Sequence, residues 1–102
     1  ANYNIDRTLY ETDTITALDG DTTPSVFNTN VIHLANSATT NVTHFDDGIE
    51  DQEIIIVADN ANTNIMFGTS STLVGNGATN YNPQINTTIY CKFDGTVWNC
   101  IV

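Results

Sequence analysis

"HFDDGIEDQEIIIVADN", residues 44–60, joins a turn crowded with carboxylates to a strand that has no polar position between Ile54 and Val57. Because neighbouring residues of a strand point to opposite faces, Ile55 and Val57 share one face and Ile54 lies on the other. Both faces of this strand are therefore apolar, whereas a single sandwich gives each strand one core face. The second face therefore needs either a covering loop or another copy of the chain, and we favour another copy.

The length and charge of the chain limit what it can be. At 102 residues it is expected to form one domain with a single modest core. Twelve acids stand against only Arg7 and Lys92, a formal net charge of minus 10, which argues against nucleic acid as a partner. No apolar run approaches the twenty or so residues of a membrane span, so we expect no membrane insertion.

The residue types indicate strands. Asn and Thr supply nearly a third of all positions, a mixture that favours short strands joined by tight turns. Apolar residues do not recur with helical spacing. We therefore predict an all-β fold, an antiparallel β-sandwich of jelly-roll type. Its predicted strands are Val26–Leu34, Asn41–Phe45, Glu53–Ala58, Asn64–Phe67, Thr72–Val74, Ile85–Phe93 and Thr96–Val102.

The last two predicted strands read as a hairpin. In "INTTIYCKFDGTVWNCIV", residues 85–102, the dipeptide Asp94-Gly95 separates two alternating runs. The predicted inner face holds Ile89, Cys91, Phe93, Trp98, Cys100 and Val102. Val97 and Ile101 point outward in this scheme, although both are apolar. Together with Ile55 and Val57 they are our candidates for an interface between copies.

Cys91 and Cys100 lie on neighbouring strands of this hairpin and face the same side. A two-residue loop would place them diagonally, and a four-residue loop would place them directly opposite each other. For a product made in a cytoplasm we expect two buried reduced thiols, with a disulfide as the alternative.

Residues with catalytic or metal-binding chemistry do not form a recognisable motif. The acidic turn could supply a carboxylate pair, but crowded acids in a solvated turn are the simpler interpretation. The same acids, or Asp59 with nearby Asn residues, could hold Ca²⁺ weakly at the surface. His33, His44, Cys91 and Cys100 lack the spacing of a zinc site. We expect no catalytic residue and no cofactor.

One loop could contact a sugar. In "GATNYNPQ", residues 77–84, Tyr81 is an aromatic flanked by the amides of Asn80 and Asn82. An aromatic ring with amides beside it is a reasonable glycan contact. The sequence therefore also predicts, as an alternative function, a carbohydrate-binding module, although such a loop is equally often only a connection between strands.

Several fragments, taken in order, resemble the C-terminal β-sandwich of bacteriophage tailspikes. They are "TPSV" from Thr23, "VIHLANSATT", "VTHFDDGIEDQEIII", "NIMFGTSSTLVGNG" and "FDGTVWNCI" near the end. The family commonly has Gly before the Gln, where this chain has Asp51. The resemblance covers residues 23–102, and residues 1–22 are expected to be a first strand or a linker from a preceding domain.

The resemblance implies a function. Tailspikes are trimeric proteins by which the phage adsorbs to its host, so it implies a homotrimer in the virion, made in the host cytoplasm. This segment would hold three chains together, and contact with host polysaccharide is a further expectation. In related tailspikes the depolymerase site, a glycosidase or lyase, lies on a parallel β-helix. The sequence shows no β-helix repeat, so we expect no enzymatic activity from this segment and rank a depolymerase fragment as the third hypothesis.

Overall fold

The computed structural model describes residues 13–102, and within this range the protein consists of strands, turns and one short 3₁₀ segment. The all-β prediction is confirmed. No helix in residues 13–102 is long and apolar enough to cross a lipid bilayer. The strands are β1 (Thr14–Thr16), β2 (Val31–Leu34), β3 (Thr40–Val42), β4 (Glu53–Ala58), β5 (Thr63–Ile65), β6 (Leu73–Val74), β7 (Thr88–Phe93) and β8 (Trp98–Ile101). Residues 1–12 of the predicted linker or first strand lie outside the described range.

The strands form two mixed or parallel sheets. One sheet has six strands in the order β1-β2-β4-β7-β8-β6, and the other pairs β3 with β5. Only the β4–β7 and β7–β8 pairs are antiparallel, and the remaining four are parallel. The prediction of antiparallel strands is therefore correct only for the two pairs that β7 makes, and the large sheet is mixed. Elsewhere, long connections return the chain to start each new strand in the same direction.

Strands β1 to β5 form what we call the parallel coil region. Val31 pairs with Ile55 in the large sheet, and Thr40 pairs with Thr63 in the small one. These partners are 24 and 23 residues apart, so the turn that begins at β2 and the turn that begins at β4 each supply one strand to each sheet, and the second stacks on the first. The sequence predicts no β-helix repeat, but this region winds like a short parallel β-helix.

The core lies between the two sheets. Stacked turns place like residues side by side, with Ile32 next to Ile56 and Val42 next to Ile65, all at most 1% exposed. The interior also contains polar groups. Asn36, 2% exposed, donates a 2.8 Å hydrogen bond to the Thr63 hydroxyl, and its Oδ1 accepts one from the Gly20 amide. These bonds connect three successive turns of the chain.

The hairpin β7–β8 packs its inner face on this core. Trp98 is fully buried, its indole N–H donates to the Phe45 carbonyl at 3.2 Å, and its ring lies 4.7 Å from that of Phe93. A Cβ at Gly48 would lie 2.5 Å from the Trp98 ring, so the acidic turn needs glycine where it crosses the indole. The predicted inner face is confirmed except at Val102, which is 47% exposed.

Cys91 and Cys100 form a disulfide, so the expectation of reduced thiols is wrong for this structure. Phe93 pairs with Trp98, which leaves a four-residue loop and sets the two cysteines directly opposite each other with 4.1 Å between their Cα atoms. This register brings the sulfur atoms within bonding range, so the four-residue loop is what permits the disulfide.

In both sheets, an antiparallel segment ends the parallel coil region after its last turn. Strand β7 pairs with β4 in the large sheet. In the small sheet, Tyr81 exchanges two backbone hydrogen bonds with Ile65 of β5, at 2.7 and 2.9 Å. The last turn is thus covered by chain that runs in the opposite direction.

Candidate functional site

The outer face of the six-stranded sheet carries a continuous apolar row. Registered pairs join Val31 to Ile55, Ile55 to Tyr90, and Tyr90 to Ile101. Paired residues of neighbouring strands point to the same side of a sheet, so these four side chains lie in one line across β2, β4, β7 and β8. We call these four residues the apolar row.

The apolar row is open to solvent. Ile101 is 69% exposed and Ile55 is 40% exposed, whereas Ile54 and Ile56 on the opposite face are at most 1% exposed. Val31 and Tyr90 are half-buried by their neighbours. The core is therefore complete without these side chains, and the row is surplus apolar surface.

Residues that are polar, except for Val57, border the row on both sides. One flanking line consists of Thr16, His33, Val57 and Thr88, and the other of Glu53, Lys92 and Asn99. His33 Nδ1 lies 2.7 Å from a carboxylate oxygen of Asp59. Lys92 is the one Lys or Arg among residues 13–102, and it is paired across the sheet with Glu53. An apolar strip between polar borders is the usual composition of a protein interface.

The structure brings together three of the four predicted interface residues. Ile55 and Ile101 belong to the apolar row. Val57 is two residues after Ile55 in β4 and lies on the same face of the sheet. Val97 lies in the loop between β7 and β8 and is half-buried, away from the row. The sequence missed Val31 and Tyr90 as members, because only the register between distant strands places them beside Ile55.

The predicted glycan loop has a different local role. Tyr81 is half-buried against the core. The Asn80 side chain accepts a hydrogen bond from the Gly68 amide at 2.7 Å, and Asn82 donates to the carbonyls of Ala61 and Thr63. Asn82 and the backbone of Tyr81 hold the loop to the parallel coil region, and Asn80 holds it to the segment that follows β5. Sugar contact through them stays a prediction.

The acidic turn is solvated. Asp47, Glu50, Asp51 and Glu53 are exposed and Asp46 is half-buried. Within residues 13–102 no group of three or more His, Cys, Asp or Glu side chains is arranged to hold a metal ion. The weak calcium site stays a prediction.

The two histidines make separate contacts. His44 Nδ1 lies 2.8 Å from the Thr72 hydroxyl, and its Nε2 lies 3.8 Å from a carboxylate oxygen of Asp46. The nearby Ser70 hydroxyl donates to the Thr43 carbonyl and accepts from two backbone amides of its own loop. These hydrogen bonds join the loop that contains His44 to the loop that contains Ser70 and Thr72. Nothing in the sequence indicated this contact, because His44 and Thr72 are 28 residues apart.

Comparisons with known proteins give no identification. No family model matches the chain, and neither the curated proteins nor the solved structures contain a match.

Proposed function

We propose that this chain is a trimerisation module at the C-terminal end of a phage tailspike, a virion protein that adsorbs to the host. The observation that carries the proposal is the apolar row on the outer face. Four side chains from four strands form a strip that residues 13–102 do not cover, and burying such a strip between copies is favourable by about 25 cal/mol per Å² of apolar surface.

Charge supports association through this strip. The chain carries a net charge of minus 10, so copies repel each other over most of their surface. The outer face is the exception, because Glu53 is opposite Lys92 and the row between the borders is uncharged. Three copies arranged around a threefold axis would bring these near-neutral strips together and leave the acidic turns in solvent.

A backbone feature supports the resemblance to tailspikes. Asp51, where the family commonly has Gly, adopts a φ of +73°. This is the left-handed region, which Gly enters freely and Asp tolerates. The turn before β4 thus has the conformation that a glycine there would favour. The parallel coil region also suits a protein class whose main body is a parallel β-helix.

The proposal assigns no catalysis to this segment and places the protein in the phage tail after synthesis in the host cytoplasm. The cytoplasm keeps thiols reduced, so the Cys91–Cys100 disulfide would form after the particle leaves the cell. Host polysaccharide remains a proposed partner of the assembled particle.

Light scattering coupled to size-exclusion chromatography tests the proposal. We expect a species of three times the 11.1 kDa of one chain at micromolar concentration. Ile55→Lys should shift the protein to the monomer, because it puts an unpaired charge in the middle of the strip. The matched control is Ile85→Lys, since Ile85 is 63% exposed and lies off the row.

Three results would count against the proposal. A wild-type monomer at these concentrations contradicts self-association. Equal dissociation by both lysine variants would show that the row is not the interface. A stable dimer would retain the interface and reject the trimer. Circular dichroism of each variant confirms that it is folded.

A further inference from the structure

A cleft lies at the end of the large sheet from which β2 and β4 begin. It is open to solvent and has a volume of about 210 Å³ between two loops, residues 26–30 and residues 46–52. Two large apolar side chains stand at its walls, Phe27 at 70% exposure and Ile49 at 71%. Neither belongs to the core or to the apolar row.

The cleft is held open by Gln52. Its side-chain NH₂ donates to the carbonyls of Val26 and Thr29 at 2.8 and 2.9 Å, and its side-chain oxygen accepts from the Ile49 amide at 3.0 Å. One amide therefore fixes both walls relative to each other. A fixed pair of walls loses little freedom when a ligand binds.

Two carboxylates complete the lining. Asp13 and Asp47 are both exposed in the cleft, and Asp47 uses one carboxylate oxygen to accept a 2.6 Å bond from the Ser25 hydroxyl. Among residues 13–102, no Lys or Arg forms an ion pair with either of them, since Lys92 lies on the outer face. The cleft is thus both apolar and negatively charged.

We propose that this cleft binds an arginine side chain of a partner protein. The planar guanidinium would stack on the ring of Phe27 and donate hydrogen bonds to Asp13 and Asp47. The alkyl stem of the arginine would pack on Ile49. A carboxylate accepts two parallel hydrogen bonds from arginine, which a point-charge ammonium cannot supply in the same geometry.

Charge decides between this ligand and the alternatives. An anionic ligand would face two carboxylates and a net charge of minus 10. An uncharged sugar could use the Phe27 ring but would leave both carboxylates without a counter-ion. A cation with an apolar stem satisfies the ring, the aliphatic wall and the acids together.

NMR titration of the ¹⁵N-labelled 102-residue chain with N-acetyl-arginine amide tests the proposal. We expect saturable shifts of the amides of Phe27, Asn28 and Ile49, with a Kd on the order of 1 mM, as befits a single side chain. N-acetyl-lysine amide should bind more weakly, and 0.5 M NaCl should weaken both. Phe27→Ala and Asp47→Asn should each weaken arginine binding about fivefold or more.

Matched variants separate this site from general electrostatics. Glu50→Gln removes one charge from the same turn without lining the cleft, and should leave the Kd within about twofold. Equal weakening by Glu50→Gln and Asp47→Asn would overturn the proposal. So would the absence of saturable shifts, or binding of methyl glucoside at Phe27 without binding of the arginine probe.

The chain's own Arg7 is the remaining competitor for the cleft. Arg7→Gln should leave the resonances of Phe27 and Asn28 unchanged when no probe is present. If they move, and the probe then binds more tightly, the cleft serves an internal arginine and the partner is rejected.

Discussion

The parallel coil region and the β7–β8 hairpin bury similar side chains but join their strands over different lengths of chain. Cys91 and Cys100 are separated by 9 residues, whereas Val31 and Ile55 are 24 residues apart. Each doubling of a loop costs only about 0.6 kcal/mol of closure entropy, so the difference in stability is small. The difference in folding is larger, because contacts distant in sequence form slowly. We expect the hairpin to form first and the coils to stack later.

The two regions also differ in how they are fastened. The hairpin relies on Trp98, its aromatic neighbours and a disulfide. The parallel coil region relies on buried polar bonds, above all those of Asn36, that connect one turn to the next. Apolar contacts over a broad area pack the hairpin on the core. In the parallel coil region, the polar hydrogen bonds fix the register between successive turns. Four measurements test this contrast.

Trp98→Ala should have the largest effect, because Trp98 belongs to the hairpin but packs edge-on against Phe45 of the other region. Emptying its site should lower the free energy of unfolding by about 3–5 kcal/mol, measured in urea. Both regions should be lost in one transition, which hydrogen exchange can follow. Thr88→Ala, at an exposed position, is the control and should change stability by less than about 0.5 kcal/mol. Loss of the hairpin alone would show that the regions are independent.

Removing the disulfide should have the next largest effect. For a loop of this length, chain entropy gives roughly 2–3 kcal/mol of stabilisation. The double variant Cys91→Ala with Cys100→Ala should therefore unfold at lower urea, as should the wild type in dithiothreitol. An unchanged midpoint in dithiothreitol would mean that the turn alone holds the hairpin.

Asn36→Ala tests the parallel coil region. It leaves the Gly20 amide and the Thr63 hydroxyl without their partner, at a cost of about 2 kcal/mol in urea. The matched control is Asn64→Ala, which removes only a solvent-exposed bond to Asn41 and should cost less than about 0.5 kcal/mol. Equal losses would contradict the view that buried amides hold the turns in register.

The smallest effect concerns one carboxyl group in each region. Backbone hydrogen bonds from Val97 and then Thr96 lower the pKa of Asp94 below its ordinary 3.8. In the parallel coil region, the backbone amide of Ser37, and then its hydroxyl, lower the pKa of Asp19. A lowered folded-state pKa stabilises the protein above pH 3.8, and this stabilisation is lost as the pH falls through the folded-state value.

Carboxyl ¹³C titration by NMR measures both groups. Asp94 and Asp19 should each titrate below 3.8. Ser37→Ala, which keeps the backbone amide, should raise the pKa of Asp19 only in part and leave that of Asp94 unchanged. A value for either carboxyl at or above 3.8 would contradict its hydrogen bonds.

Local features of the fold were predictable from the sequence. The strand Glu53–Ala58 has the bounds predicted for it, and the hairpin around Asp94-Gly95 is present with its inner face as predicted except at Val102. Both depend on alternation and on turn residues within a few positions. The predicted strand at Val26–Leu34 is shorter, beginning at Val31, because residues 26–30 turn around the Gln52 side chain.

The parallel pairing was not predictable in the same way. Strands of three or four residues with different sequences give no visible repeat, and an apolar strand looks alike in parallel and antiparallel sheets. The same limit applies to the candidate site. Ile55, Val57 and Ile101 were found from alternation, but Val31 and Tyr90 needed the register. The cleft at Phe27 and Ile49 went unnoticed because its walls come from two loops.

The reversed chain direction at the last turn has a consequence for solubility. Stacked parallel strands are a template onto which identical segments can add, and unchecked addition leads to fibres. Here Tyr81 blocks β5, and the large sheet continues past β4 only through the hairpin to β6, a strand of two residues. Growth from this end would have to start on the shortest edge available. The antiparallel segments at the last turn therefore oppose amyloid-like elongation.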